Sequence, residues 1–267
     1  MSANGQEDML LIPPTLTQLP RPIYVRAQAM ASSAHFAEHQ HEWVQFLYAT
    51  SGMLRVTLPS GSFTVPSRFA VWIPAGMRHQ VSAQTEVSFR SLYLTAAATS
   101  GMVVDRSRVV EVTALTRELI VAAAKLPPEY DEQGRAGRLL ATLLDELADL
   151  QEAEMYLPLP SDARLKIICE CLMQDPSDDR ELDAWARRIH VSSKTLARMF
   201  ERETNMSFRQ WRQRLRLCRG LEFMASGRSV TEVALDVGYS SSSSFVAAFK
   251  QQFGKTPREF MQNGSPL

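Results

Sequence analysis

Four of the five histidines in this chain of 267 residues lie towards its N-terminal end, and two of them are spaced so that they could share a metal ion. Neutral imidazole nitrogens are common ligands of divalent transition metals. His39 and His41 are two residues apart, so in a strand their side chains would point to the same face. Gln45 has the same parity, and a Pro-x-Gly turn at residues 74–76 leads to His79. These residues are the first candidates for a binding site.

The last third of the chain repeats one pattern, in which a short amphipathic helix, a tight turn and a second helix follow each other. In the first copy these span residues 181–189, 190–192 and 193–204, and in the second copy residues 230–237, 238–240 and 241–253. A serine stands at the start of each second helix, where it can cap free backbone N–H groups. Two helix-turn-helix units about 50 residues apart, with matching turns, indicate DNA binding at two successive places.

The formal net charge of zero hides an asymmetry between the two ends of the chain. Residues 184–258 contain 14 Lys and Arg against 5 Asp and Glu, a net charge of +9. The first 160 residues contain 12 Lys and Arg against 16 Asp and Glu, a net charge of −4. Arginine-rich helical faces can simply be solvated, but together with the helix-turn-helix repeat this basic segment favours a polyanion as partner.

The segment 162–262 resembles the DNA-binding domain of the AraC/XylS family of bacterial transcription regulators. The residues that carry the resemblance are Ala197–Thr204, Trp211–Leu217, Val230–Tyr239 and Phe245–Phe260. Within the last stretch, the pattern Phe-x3-Phe-x3-Phe-Gly-x-x-Pro is specific to the second unit of this family. The resemblance implies a transcription regulator that binds double-stranded promoter DNA.

In a helix-turn-helix, the N-terminal part of the second helix contacts base edges in the major groove. Similarity to the family places Lys194, Ala197 and Arg198 at the bases, on a helix that starts at Ser193, with Arg202 directed towards phosphates. In the second unit the corresponding groove-facing residues are Ser242, Ser243 and Ala247, and Lys250 would contact phosphate. Serine and alanine discriminate poorly between bases, so we expect the first unit to provide most of the direct readout.

The stretches 39–52 and 74–79 resemble the two signature segments of the cupin barrel, a common sensor domain of AraC-type regulators. In metal-binding cupins the positions of His39, His41, Gln45 and His79 converge on one divalent ion. Here Gln45 replaces the usual glutamate, and a neutral amide is a weaker ligand that cannot act as a general base. Three imidazoles and one amide oxygen could still hold Zn²⁺, Ni²⁺ or Fe²⁺.

Two other interpretations of the histidines remain open. The barrel could hold an organic effector, with the histidines as hydrogen-bonding groups, or the histidines could be structural. Trp43 and Trp72 are candidate effector contacts, although aromatic residues in such a region more often belong to the core.

The elements that would position these residues suggest an α+β protein of two domains. Short runs rich in Val, Phe, Tyr, Thr and Trp, broken by Gly and Pro, predict a cupin-like β-barrel. These predicted strands are residues 43–50, 53–58, 62–65, 69–73 and 87–94, followed by trailing helices at 111–126 and 134–153. The predicted organisation is a flexible arm (1–22), an effector-binding and dimerisation domain (23–156) and an all-α domain with tandem helix-turn-helix units (162–262).

The sequence therefore predicts a non-enzymatic transcription regulator that is controlled by a small-molecule effector. Three cysteines, no secretory leader and no apolar run of 18 residues predict a cytoplasmic protein without a membrane partner. A homodimer formed by the helices at 111–153 is expected, and the resemblance allows RNA polymerase as a further partner. Overall similarity suggests control of efflux or metabolic genes. The alternative is a metal-dependent cupin enzyme that carries a DNA-binding domain, and Gln45 counts against it.

Overall fold

A computed structural model describes residues 9–13, 17–153 and 155–262. The chain divides into two compact units, one formed by most of the first 155 residues and the other by residues 59–62 and 156–263. In the described residues, no helix combines the length and the apolar character needed to cross a membrane.

The first unit is built from two β-sheets and two helices. Its strands are β1 (Leu10–Leu11), β2 (Ile23–Met30), β3 (His35–Phe36), β4 (Val44–Ser51), β5 (Met53–Leu58), β6 (Gly61–Pro66), β7 (Phe69–Ile73), β8 (Gln80–Ala83), β9 (Val87–Leu94), β10 (Arg108–Glu111) and β11 (Glu152–Ala153). One sheet contains β1-β3-β8-β5-β6 in that order, and the other is β11-β10-β7-β4-β9-β2. The predicted α+β class with a β-rich N-terminal domain is confirmed, but the strands form two sheets and not one closed barrel.

The side chains of β4, a strand in the middle of the second sheet, alternate between the two faces of that sheet. Val44, Phe46 and Tyr48 belong to a buried core that also contains residues of helices α1 (Ala114–Ala123) and α2 (Arg135–Ala148). Because successive side chains of a strand point to opposite faces, Gln45 and Leu47 point away from the helices. The helices therefore cover one face of the sheet and leave the other face for a site.

The predicted helices and the predicted arm of the first unit differ from the structure. The two helices are shorter than the predicted ranges 111–126 and 134–153. The first starts later because Glu111 belongs to β10, which pairs with β7, and the second ends earlier because residues 152–153 form β11, which pairs with β10. The Thr113 side chain accepts the Thr116 N–H and thereby caps the start of α1. In the predicted arm, β1 pairs in parallel with β3; residues 1–8 and 14–16 of that arm lie outside the described residues.

The second unit is helical apart from one short strand. It contains β12 (Tyr156–Pro158), α3 (Ala163–Gln174), α4 (Leu182–Arg188), α5 (Ser193–Thr204), α6 (Phe208–Ala225), α7 (Val230–Asp236), α8 (Ser242–Phe253) and α9 (Pro257–Gln262). The fully buried rings of Trp185, Phe200 and Trp211 form the centre of its first core. Trp211 Nε1 donates to the Pro158 carbonyl at 2.6 Å, so this core also fixes the segment that enters the unit.

The guanidinium of Arg216 on α6 connects both helix-turn-helix units to that helix. It donates to the carbonyls of Pro176 at 2.9 Å and Asp178 at 3.1 Å, before α4, and to that of Gly238 at 2.9 Å, in the turn between α7 and α8. A side chain at position 238 would be strained, because φ is +82° there and a Cβ would lie 2.6 Å from Arg216 Nη2. Gly238 thus provides the close approach that Arg216 needs.

We expect Arg216→Ala to destabilise the helical unit by about 2 kcal/mol, because it leaves several carbonyls without their charged donor. Chemical denaturation followed by circular dichroism measures this loss. Arg209→Ala is the control, since Arg209 is exposed on the same helix and makes no hydrogen bond or ion pair within the described ranges. Equal stabilities of the two variants would show that Arg216 does not hold the units together.

Candidate functional site

Three of the predicted metal ligands come together in the first unit. One ring nitrogen each from His39, His41 and His79 lies within 4.8 Å of the others. The ring centroids of His39 and His79 are 4.3 Å apart, and those of His41 and His79 are 5.2 Å apart. His79 is fully buried, whereas the other two rings are partly exposed.

The reason for this convergence differs from the one that the sequence suggested. His39 and His41 do not lie in a strand but in the segment before β4, so the period-two argument does not apply to them. An isolated antiparallel bridge joins His39 to His79, with N–O distances of 3.0 and 2.9 Å. Gly76 N–H donates to the His41 carbonyl at 2.8 Å, so the Pro-x-Gly turn is tied to the same segment. Backbone pairing between two loops therefore assembles the cluster.

Each of the three rings is oriented by a backbone carbonyl. The Nδ1 atoms of His39, His41 and His79 lie 2.8, 2.8 and 2.9 Å from the carbonyl oxygens of Ala37, Trp43 and Met77. A carbonyl can only accept, so each Nδ1 donates and each neutral ring keeps its lone pair on Nε2. The Nε2 atom of His79 is buried and has no hydrogen-bond partner in the described part of the chain. This orientation by a second shell is typical of metal-ligating histidines.

Burial disfavours the charged form of two of these rings, those of His39 and His79. Desolvation lowers the pKa of His79 to about 4, with smaller contributions from the neighbouring His39 and His41. Desolvation also lowers the pKa of His39 from its ordinary value. Neutral imidazole is the form that binds a metal ion, so the site is ready to bind a cation at neutral pH.

Gln45 joins the cluster from β4. Its side chain is buried, its Oε1 lies 3.0 Å from His41 Nε2, and its Nε2 donates to the Ser91 hydroxyl at 3.1 Å. The contact with His41 thus brings two lone-pair atoms together, which a cation between them would stabilise. A small cavity of about 10 Å³, lined in part by His39 and Gln45, adjoins the cluster and has room for about one water molecule.

The two candidate effector contacts occupy different places. Trp43 stacks on His41, with ring centroids 5.8 Å apart and planes inclined by 10°, so it borders the cluster. Trp72 is fully buried in the helix-facing core and packs edge-on against Phe46 at 4.7 Å. Strand alternation on β7 turns Trp72 away from the histidines, so the structure makes it a core residue and not a wall of this site.

The first candidate reading helix, α5, begins behind Ser192, whose side chain accepts the Thr195 N–H. Lys194 and Arg198 are exposed on it, Ala197 is half-buried beside them, and Arg202 is exposed one turn further. Lys194 and Arg198 have no hydrogen-bond or ion-pair partner among the residues described, whereas Arg202 pairs with Glu203 at 3.2 Å. Ser193 is engaged within the protein, because its hydroxyl donates to Asp183.

The second candidate reading helix, α8, begins behind Ser241, whose side chain accepts the Ser244 N–H. Ser243, Ala247 and Lys250 are exposed, and Ser242 is half-buried. The buried Phe245 and Phe249 hold the opposite face of the helix in the core. The two units therefore have the same scaffold but present different chemistry: long cations on α5, and small side chains followed by one lysine on α8.

Two family models match the chain. The AraC-like ligand binding domain matches residues 22–165, and the helix-turn-helix domain matches residues 185–263. The HTH-type transcriptional regulator NimR of Escherichia coli K12 is 32% identical over 225 residues, which are 84% of this chain and 81% of NimR. This chain belongs to the AraC family of transcription regulators. The predicted family and the predicted function, an effector-controlled DNA-binding regulator, are confirmed.

Other comparisons cover less of the chain or share less sequence with it. The HTH-type transcriptional regulator RipA of Corynebacterium glutamicum is 34% identical over 103 residues, which are 39% of this chain and 31% of RipA. A crystal structure of ToxT from Vibrio cholerae aligns with 92% of this chain and 100% of its own at 10% identity, with a TM-score of 0.39. The genes that this AraC-family regulator controls stay a prediction.

Two neighbours of the histidine cluster were not predicted from the sequence. The Ser91 hydroxyl on β9 accepts a hydrogen bond from the Gln45 amide, and the Tyr93 ring contacts His41 edge-on, with ring centroids 5.5 Å apart. Both point to the same face of β9 because they are two residues apart. The alternation of polar and apolar residues in the predicted strand 87–94 contained this signal, but only the pairing of β9 with β4 places the two residues beside Gln45.

In the metal-free protein, we expect the free energy of unfolding to decrease as pH falls from 6.5 to about 4. The pKa of His79 is about 4 in the folded chain against an ordinary 6.5, so the unfolded chain binds the proton first. The His79 contribution, roughly 3 kcal/mol, is fully present above pH 6.5 and lost at pH 4. Urea denaturation over this pH range measures it. The decrease in the free energy of unfolding between pH 6.5 and pH 4 should be much smaller in His79→Gln and unchanged in His35→Gln. An equal decrease in all three proteins would contradict the role of His79.

Proposed function

We propose that this AraC-family regulator binds a divalent metal ion in its sensor domain and reads promoter DNA mainly through α5. The convergence of three oriented imidazoles at His39, His41 and His79 is the observation that carries the first part. Zn²⁺, Ni²⁺ and Fe²⁺ are the candidate ions, because imidazole suits all three.

The residues present fit such an ion in number and in chemistry. Metal–nitrogen bonds of about 2 Å bring ligand atoms to within about 4 Å of one another. The three ring nitrogens lie within 4.8 Å, so they would move closer by up to about 1 Å when an ion binds. Gln45 Oε1 supplies a fourth donor beside His41. A bound ion would supply a positive centre that links the 39–41 segment to the turn before His79.

The dimensions of the site favour an ion over a large organic molecule enclosed between the sheets. Pockets for drug-sized ligands usually measure about 300–1,000 Å³. The cavity beside His39 and Gln45 measures about 10 Å³, because Phe36, Leu47 and Phe89 fill the space around it.

We propose that the site has a regulatory and not an enzymatic role. No carboxylate belongs to the histidine cluster in the part of the chain that the structure describes. Gln45 stands where a carboxylate could act as a general base, and an amide cannot take up a proton at neutral pH. Burial raises the pKa of the Tyr93 phenol, so this neighbour stays protonated and cannot take up a proton at neutral pH.

The second part of the proposal rests on the free cations of α5. Arg198 can donate to guanine O6 and N7 together, and Lys194 one turn earlier lies on the same face. On α8, Ser243 and Ala247 can contribute little base discrimination, so Lys250 and backbone N–H groups serve mainly to hold phosphates.

We further propose that the regulator acts in the cytoplasm as a homodimer on promoter DNA, with RNA polymerase as a further partner. The exposed face of α2 supports a dimer, since Arg135 and Arg138 lie near its start and Asp145 and Asp149 near its end. A second copy of α2 packed antiparallel would place opposite charges together.

Metal binding should depend on the cluster and on no other histidine of this domain. After chelator treatment, we expect the full-length protein to take up about one equivalent of Zn²⁺ or Co²⁺, as measured by calorimetry and elemental analysis. Loss of one ligand in His79→Ala should weaken binding about 100-fold or more. His35→Ala is the matched control, because His35 lies outside the cluster. If no ion binds stoichiometrically, the site belongs to an organic effector instead.

Direct readout should depend on Arg198. We expect Arg198→Ala to weaken specific DNA binding by about 1–3 kcal/mol and to relax the base preference at one operator position, because a bidentate contact to guanine is lost. Binding to a library of randomised operators measures both effects. Arg202→Ala, one turn further along α5, should weaken all sequences alike. A uniform loss in Arg198→Ala would assign that residue to phosphate.

A further inference from the structure

The charge of the proposed metal centre is not balanced by the protein. His39, His41, His79 and Gln45 are all neutral donors, so a divalent ion bound to them retains its full charge of +2. The nearest acidic residues in sequence, Glu38 and Glu42, are exposed and do not belong to the cluster. A buried charge without a partner is costly, so an anionic co-ligand would stabilise the loaded site.

A second cation lies on the same face of the sheet. Arg26 on β2 pairs directly with Ser91 on β9, and residues directly opposite each other in an antiparallel pair share a face. Gln28, two residues further along β2, lines the small cavity together with His39, Gln45 and Ser91. Arg26 therefore belongs to the inner face, on which Gln45 and the histidines lie.

The surroundings of Arg26 leave it available to a ligand. Arg26 is half-buried, and it forms no ion pair with a carboxylate in the residues that the structure covers. Within the described ranges its side chain interacts with the phenol of Tyr93, a neutral group. A guanidinium, two hydroxyls and a proposed cation thus share one face, and each of them can bind an oxyanion.

We propose that the effector of this regulator carries a carboxylate, which binds between the metal ion and the guanidinium of Arg26. This inference rests on the proposed metal site. The planar guanidinium matches the two oxygens of a carboxylate. The small cavity that Gln45 and Tyr93 line, about 10 Å³, favours a planar carboxylate over a bulkier tetrahedral oxyanion. The rings of Trp43 and Tyr93, which meet edge-on with centroids 6.5 Å apart, border the site and can pack against the apolar part of such a molecule.

The test uses full-length protein loaded with Co²⁺, whose visible spectrum reports on its ligands. Acetate is the probe, acetamide its neutral counterpart and inorganic phosphate a second oxyanion. We expect acetate to change the Co²⁺ spectrum in a saturable manner, and acetamide and phosphate to leave it unchanged at the same concentration. A response to phosphate alone, or equal responses to acetate and acetamide, would overturn the carboxylate class.

Two substitutions test the missing negative charge at the metal site and the guanidinium of Arg26 separately. Gln45→Glu supplies the missing negative charge, so it should retain Co²⁺ and lose the acetate response. Arg26→Gln should weaken acetate binding roughly tenfold, the effect of one charge-assisted hydrogen bond, while Co²⁺ affinity stays the same. Arg90→Gln is the control, because Arg90 lies on β9 at the opposite parity to Ser91.

The outcomes distinguish the two proposals. If Co²⁺ binds but neither substitution alters the acetate response, the carboxylate inference is wrong and the metal site stands. If Co²⁺ does not bind to the unmodified protein, the metal site is wrong, and the inference that rests on it is wrong as well.

Discussion

Arg216 fixes how the two DNA-binding units are presented, because one guanidinium donates to carbonyls on both sides of α6. Its partners lie before α4 and in the turn between α7 and α8, so both units are bound to the same side chain. Burial lowers the pKa of Arg216, yet an arginine guanidinium stays charged in proteins, which keeps these bonds charge-assisted. Tandem units reach successive major grooves only if their separation is fixed, and the hydrogen bonds of Arg216 to both units contribute to that.

A comparable constraint organises the sensor domain, where it acts through strand alternation. On β4, Phe46 faces the helices and belongs to the core, while Gln45 faces the other way and reaches His41. A shift of one residue in the pairing of β4 with β9 would bury Gln45 under the helices and expose Phe46. The free-energy cost of burying Gln45 and of exposing Phe46 fixes the register of this strand. The core of the domain therefore determines the position of its polar site, although the site itself contributes little packing.

The sequence predicted the helices of the DNA-binding domain and most strands of the sensor domain well, because periodic burial and turn residues are local signals. The predicted strands 53–58, 69–73 and 87–94 coincide with β5, β7 and β9. Non-local features were harder to predict. His39 and His41 were expected on a strand but are brought to His79 by a backbone bridge between loops. Trp72 was expected near the effector but lies in the core, and Arg26 could be placed only through the register of β2 with β9.

The different surfaces of α5 and α8 follow from how the two helices are held. Each has a capped N-terminus and a buried apolar face, so stability constrains only about half of the positions on either helix. The exposed positions are free to vary, and they carry long cations on α5 and small residues on α8. Because Arg216 bonds to both units, a contact of α5 with DNA would, in the proposed mode of binding, also bring α8 to its groove. The second unit can then add affinity through phosphates without reading bases, and replacing Ser243 by a longer polar residue would change specificity without disturbing the fold.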